Sequence, residues 1–314
     1  MNELVTQPAM QQHIFPEGVK YSPGKFSATA LLAIFFLYQI VGGGIALIIA
    51  GGEITKSNVA LTRTATMVAQ FLFLLLPTLW LIKHQHGTSR GVLLWRIPST
   101  KEFILSVVGM VALLQVADGY MYFQEMIPLP ENIKPFIELM KRMIEETYKV
   151  LVQTSTVTEL IFVVIVVALT PAICEEVLFR GLVQKNISLA TNRTKGFIIT
   201  GIIFGLYHFN PFLAVPLVGL GIFFSFLQYR SQTIILPMIA HFVNNGVSVI
   251  GVYYYGYDQA NMPTIISNDG SWRMILGSTI MFAVVFIIAM TQYFKATEHV
   301  VHSVEQPVTA PEVP

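Results

Sequence analysis

The chain has 314 residues, of which 54% are hydrophobic and only 12% are Asp, Glu, Lys or Arg, about half the charged fraction of an ordinary soluble domain. Too little polar surface is available to cover a water-soluble globule of this size, so the bilayer is the expected solvent. The formal net charge of +1, with no basic stripe along a helix face, excludes a nucleic-acid partner, and the single cysteine, Cys174, excludes a disulfide framework or a Cys-based zinc module.

Residues 1–25 are polar, with Pro8, Pro16 and Pro23. They read as an extended tail rather than a signal peptide, because the apolar run behind them is too long for an h-region and no small-residue cleavage site closes it. Runs meeting or approaching the roughly 20 apolar residues that a helix needs to cross a bilayer begin near Phe26, Thr66, Phe103, Val157, Gly196, Phe212, Thr233 and Trp272. The fold class is therefore all-α: a polytopic membrane protein of about eight transmembrane helices over residues 26–295. The fifth run is the weakest, with only Gly196 to Phe209 between Lys195 and the Asn210-Pro211 break.

Between the third and fourth runs, Glu131 to Val152 differs. Ile133, Phe136, Ile137, Met140, Ile144, Tyr148 and Leu151 recur mostly three and four apart, with Lys134, Lys141, Glu145 and Lys149 between them. This spacing predicts an amphipathic helix, lying along the membrane surface or capping the bundle. Residues 296–314 read as a disordered C-terminal tail. An even number of spans puts both termini on one side, where twelve Lys and Arg fall against seven opposite, so both termini are expected in the cytoplasm. The glycosylation sequons at Asn186 and Asn192 then face the cytoplasm and read as chance matches.

Ionisable groups inside a bilayer cost a few kcal/mol each, which makes them functional candidates. Three runs carry them. The fourth holds Glu175, Glu176 and Arg180; the fifth ends at His208; the seventh holds His241, Asn244 and Asn245. Glu176 and Arg180 are four apart and share a helix face, which predicts a structural ion pair. Glu175 lies about 100° round the helix and is left to face something else. His241 and Asn245 also share a face, and Pro237, one turn earlier, is expected to free a carbonyl or kink the helix. Counting about 1.5 Å per residue from Lys185, Lys195 and Arg230 sets Glu175, His208 and His241 at similar depths, within about a helical turn.

A carboxylate with an imidazole can hold and deprotonate a water, and a second imidazole with a carboxamide can stabilise an oxyanion. One carboxylate with two imidazoles (Glu175, His208, His241) is also a zinc ligand set, so a metal mechanism stays open. No His-Glu-x-x-His is present, and no Gly-x-Ser-x-Gly elbow supports serine chemistry; Asp118 is the only aspartate near a span interior.

These residues resemble the CPBP family of intramembrane proteases, the CAAX-protease and bacteriocin-processing (Abi) family. Its Glu-Glu-x-x-x-Arg motif is matched by Glu175, Glu176 and Arg180, its Phe-x-x-x-His by Phe204 and His208, and its His-x-x-x-Asn by His241 and Asn245. The resemblance covers a catalytic core of about residues 157–251. It implies hydrolysis of a peptide bond in a membrane-associated peptide or protein, including prenylated or lipophilic ones. By resemblance Glu175 and His208 activate water and His241 and Asn245 form the oxyanion site, with Glu176, Arg180 and Phe204 supporting. The family has been described both as zinc metalloproteases and as metal-independent glutamate proteases; the His241–Asn245 pairing favours no cofactor. Two other classes compete: a non-catalytic adaptor or bacteriocin-immunity protein, and a transporter, for which the expected repeated halves are not seen.

Overall fold

A computed structural model describes residues 18–257 and 272–300. The expected tails at 1–25 and 296–314 therefore fall largely outside the described residues. Helix begins at Pro23, inside the first of them, and Thr297 and Val300, inside the second, are buried.

Among the described residues nine helices carry the fold and no sheet forms. They are α1 (Pro23–Ile49), α2 (Val59–His86), α3 (Thr100–Glu125), α4 (Lys134–Val152), α5 (Val157–Ala190), α6 (Arg193–Leu206), α7 (Ala214–Ser231), α8 (Ile235–Tyr255) and α9 (Trp272–Ala296). Six of them, α1, α2, α3, α5, α8 and α9, are long and apolar enough to cross a membrane. The protein is an all-α polytopic membrane protein.

The two remaining sequence candidates, α6 and α7, form a shorter hairpin. The 14-residue α6 is about 21 Å long, because Asn192 caps its first turn and the Asn210-Pro211 break follows. The 18 residues of α7 end in Gln228 and Arg230, which lower its hydropathy. Arg230 is nevertheless buried, donating to Phe294 O at 2.7 Å and Thr297 Oγ1 at 3.1 Å. The hairpin is tight because both faces are glycine. A Cβ on Gly201 would stand 2.4 Å from Ile222 N, one on Gly205 2.5 Å from Val218 N, and one on Gly221 2.4 Å from Gly201 O. Small residues four apart let helix backbones approach where lipid supplies no hydrophobic push.

Several long helices are not plain α. Wider π turns run over Phe36–Gly42 in α1, Gln70–Leu75 in α2, and Val164–Leu169 and Val177–Val183 in α5. Such turns gather at functional sites, and those of α5 flank the paired glutamates. Pro171 lies between them. Having no N–H, it cannot serve the carbonyl of Val167 four residues earlier. Pro237, by contrast, falls in the first turn of α8, where a missing N–H costs nothing, so it produces no break.

The amphipathic reading of Glu131 to Val152 corresponds to α4, whose Phe136, Leu139 and Met143 are exposed. Its C-terminal end is fastened by the buried Arg63 of α2. Nε donates to Leu151 O at 2.8 Å, and Nη2 to Gln153 O at 2.7 Å and Val150 O at 3.3 Å. A cation here meets the otherwise unserved last carbonyls and the negative end of the helix dipole. Its middle is tied more loosely, by Lys141 Nζ to Glu125 Oε1 at 2.6 Å between exposed side chains.

At the opposite end, the α2–α3 connection is locked to the α7–α8 junction. Trp95 and Thr233 make an isolated antiparallel bridge, Ile234 N donates to Leu94 O at 2.8 Å, and Arg96 joins the buried Glu102 to Ser231 O. His84 and His86 belong to the last turn of α2; His84 stacks on Trp80 and meets the Tyr21 hydroxyl. Asn186 is fully buried and Asn192 is a helix cap.

Candidate active site

The site grows from α5. Its second π turn follows directly on Glu175 and Glu176, and the two carboxylates diverge as the 100° helical step requires. Glu176 is buried and its Oε1 accepts from Arg180 Nη1 at 2.7 Å, the expected four-residue pair. Arg180 is itself buried, donates through Nη2 to Gly221 O at 3.0 Å, and stands over the Phe204 ring at 4.6 Å. A buried guanidinium is tolerable only with such partners. It also ties α5 to the glycine-faced hairpin.

The same Glu176 oxygen meets His241 Nδ1 at 2.8 Å. Because it already accepts from Arg180, the imidazole must be the donor, which fixes Nδ1 as protonated and aims Nε2 away from the ion pair. Phe224 of α7 stacks on His241 at 5.1 Å and 15°, and Phe204 meets it edge-on at 5.8 Å. The ring is held on three sides.

His208 follows the last turn of α6. Its Nδ1 lies 2.7 Å from Phe204 O, a carbonyl of the helix end that can only accept, so Nδ1 carries the hydrogen and Nε2 presents its lone pair. That nitrogen stands 3.9 Å from Glu175 Oε2. The chain then turns away through Phe209, a non-glycine residue at φ 51°, a left-handed conformation that costs an L-residue roughly 1–2 kcal/mol. Glu175 Oε2 is buried without a hydrogen-bond partner.

Asn245 does not bond to His241. Its Nδ2 donates to Val167 O at 3.0 Å, the carbonyl Pro171 leaves unserved, and its Oδ1 accepts from Asn244 Nδ2 at 2.8 Å. One amide hydrogen remains. Asn245 and Glu175 both line a cavity of about 210 Å³ between α2, the end of α4, α5 and α8, whose walls include Arg63, Gln70, Tyr148 and Val167.

Each sequence-derived candidate thus has a definite position. Glu175 faces His208, Glu176 joins Arg180 to His241, Phe204 lies among Arg180, His208 and His241, and Asn245 opens onto the cavity. Two residues escaped sequence reasoning. Phe224 belongs to no charged pattern. Gln70 did carry a signal, as a carboxamide inside an apolar run, although it is isolated there. Zinc would need its ligands around one point, and among the described residues no three His, Cys, Asp or Glu side chains are so grouped. Glu175, His208 and His241 do not fit the ion as they stand.

Fold and site together define an integral membrane protein with its ionisable groups gathered among apolar helices. Residues 157–247 match the family model described as Rce1-like, type II CAAX prenyl endopeptidase. The match bears out the resemblance to the CAAX/CPBP family drawn from the three motifs, and it supports an intramembrane protease of the CAAX type. No curated protein and no solved structure matches the chain.

Proposed function

We propose that the protein is an intramembrane endopeptidase acting on a membrane-associated or prenylated, lipophilic peptide. Glu175 and His208 would be its water-activating pair, and His241 with Asn245 would stabilise the oxyanion. The observation that carries this reading is the 3.9 Å separation of Glu175 Oε2 and His208 Nε2. Two acceptors at that distance exclude a direct hydrogen bond and suit a water that donates to both.

In the step proposed, one water proton passes to the Glu175–His208 pair as the oxygen attacks the peptide carbonyl. The carbonyl oxygen becomes an oxyanion, met by the spare Asn245 N–H and by His241 Nε2–H. Nε2 can donate there only while the ring holds both protons. Collapse breaks the C–N bond, and the proton first taken up goes to the departing amine.

No metal takes part in this scheme. The excess of Lys and Arg on one side supports cytoplasmic termini, and counting α6 and α7 as two crossings or none leaves both termini together.

The test compares cells expressing wild type and Glu175→Gln at matched levels. Mass spectrometry catalogues new termini among membrane-associated proteins and secreted peptides. Termini that vanish with Glu175→Gln establish proteolysis. A deletion phenotype that Glu175→Gln fully rescues, with no terminus changed, would make the protein an adaptor. About one zinc per purified chain, lost in His208→Ala, would overturn the metal-free scheme.

A further inference from the structure

The cavity beside Glu175 contains a second polar group that the catalytic scheme does not use. Gln70 is 6% exposed and lies where α2 passes from α into π geometry. Arg63, Thr66 and Gln70, spaced three and four apart, present one face of α2 to the cavity. The Gln70 side chain stands beside Tyr38 of α1, and its Oε1 is buried with no hydrogen-bond partner. Glu175 Oε2, in the same cavity, is the second such oxygen.

A buried acceptor without a donor costs about 1–3 kcal/mol, so a bound group that donates to it is favoured there. Arg63 Nε and Nη2 serve the carbonyls ending α4, and one Asn245 N–H serves Val167 O while the other is assigned to the oxyanion. An occupant that brings donors of its own would satisfy both oxygens. A prenyl or acyl chain brings none. A peptide main chain brings one N–H per residue.

We propose that Gln70 is a substrate-positioning residue, its side-chain oxygen accepting a main-chain N–H of the bound peptide close to the bond that Glu175 attacks. This rests on the endopeptidase reading above. It makes the cavity a subsite for peptide main chain and leaves the lipophilic part of the substrate to the apolar helix surfaces. By fixing the peptide lengthwise, Gln70 selects which bond reaches Glu175.

The test uses full-length protein in detergent and a quenched fluorescent farnesylated peptide ending in Cys-aliphatic-aliphatic-X. A series of derivatives replaces one main-chain N–H at a time by an ester oxygen, leaving the cleaved bond intact. In wild type one ester position should lower kcat/KM by about tenfold, chiefly through KM, the size of one lost hydrogen bond. In Gln70→Met and Gln70→Leu that penalty should vanish while other positions keep theirs. The ratio of ester to parent is taken within each variant, so partial misfolding cancels.

Equal penalties in wild type and both variants overturn the proposal. So does a wild-type scan with no sensitive N–H, which decides the matter even if neither variant folds. The parent peptide separates the two readings. Cleavage that depends on Glu175 without Gln70 coupling sinks this inference alone, whereas cleavage unaffected by Glu175→Gln, or absent, removes the endopeptidase reading and this one with it.

Discussion

His241 Nδ1 and Arg180 Nη1 share a single oxygen of Glu176, at 2.8 and 2.7 Å. One buried carboxylate thereby closes an ion pair within α5 and orients an imidazole on α8. The neighbouring Glu175 takes no part in this network and faces His208 instead. Two adjacent residues of one type thus do different work because a single helical step turns them apart.

The paired glutamates should separate on mutation. Glu175→Gln should lower peptide turnover by at least about a hundredfold, the usual contribution of a general base, with little change in thermal midpoint. Glu176→Gln strands the buried Arg180 and should destabilise the fold by about 3–5 kcal/mol. Turnover and thermal unfolding measured on the same detergent-purified samples check both expectations.

Pro171→Ala should make the protein more stable and less active. Alanine restores an N–H that competes for the Val167 carbonyl and regularises α5. Asn245 then loses its anchor at 3.0 Å, and turnover should fall by up to about tenfold, one hydrogen bond's worth. A lower thermal midpoint with unchanged turnover would contradict the assigned role of that carbonyl.

Two glycines of the hairpin should behave oppositely. On Gly201→Ala the new methyl would meet the backbone of Ile222 at 2.4 Å, and backbone cannot swing aside as a side chain can. Separation of α6 from α7 would draw the Gly221 carbonyl from Arg180, and a loss of about 1–3 kcal/mol or more is expected. Gly219→Ala meets nothing within 4 Å and should be neutral or slightly stabilising. Thermal unfolding of the two variants side by side is the measurement.

The attachments of α4 should also differ in strength. Arg63→Ala removes three hydrogen bonds to the helix end, and amide exchange over residues 134–152 should speed up by about tenfold or more. Lys141→Ala breaks an exposed pair worth less than about 1 kcal/mol and should barely alter it. The hydrogen bond to Glu125 holds the Lys141 ammonium above its ordinary range. Its small contribution is therefore complete at neutral pH and lost only as pH rises through the raised lysine value.

Much of this protein is legible in one dimension. Apolar runs longer than a bilayer is thick specify helices whatever packs against them, because lipid leaves the backbone no partner but itself. The four-residue pair of Glu176 and Arg180 is legible because 3.6 residues per turn turns spacing into a shared face, whereas Glu175, His208, His241 and Asn245 stand out as polar groups in apolar runs. The crossing status of α6 and α7 is less so, since an apolar stretch does not declare whether it spans alone or lies in a tight hairpin.

Only tertiary structure decided which group each side chain meets. Spacing makes His241 and Asn245 neighbours on one face, yet His241 bonds Glu176 and Asn245 bonds Val167. Both partners are on α5, and helix packing, not sequence distance, brings them there. Phe224 and Gln70 belong to the same lesson: an aromatic or a carboxamide in an apolar run has no spacing partner to mark it. Spacing along the chain fixes which side chains share a face, and close packing between helices fixes what that face touches.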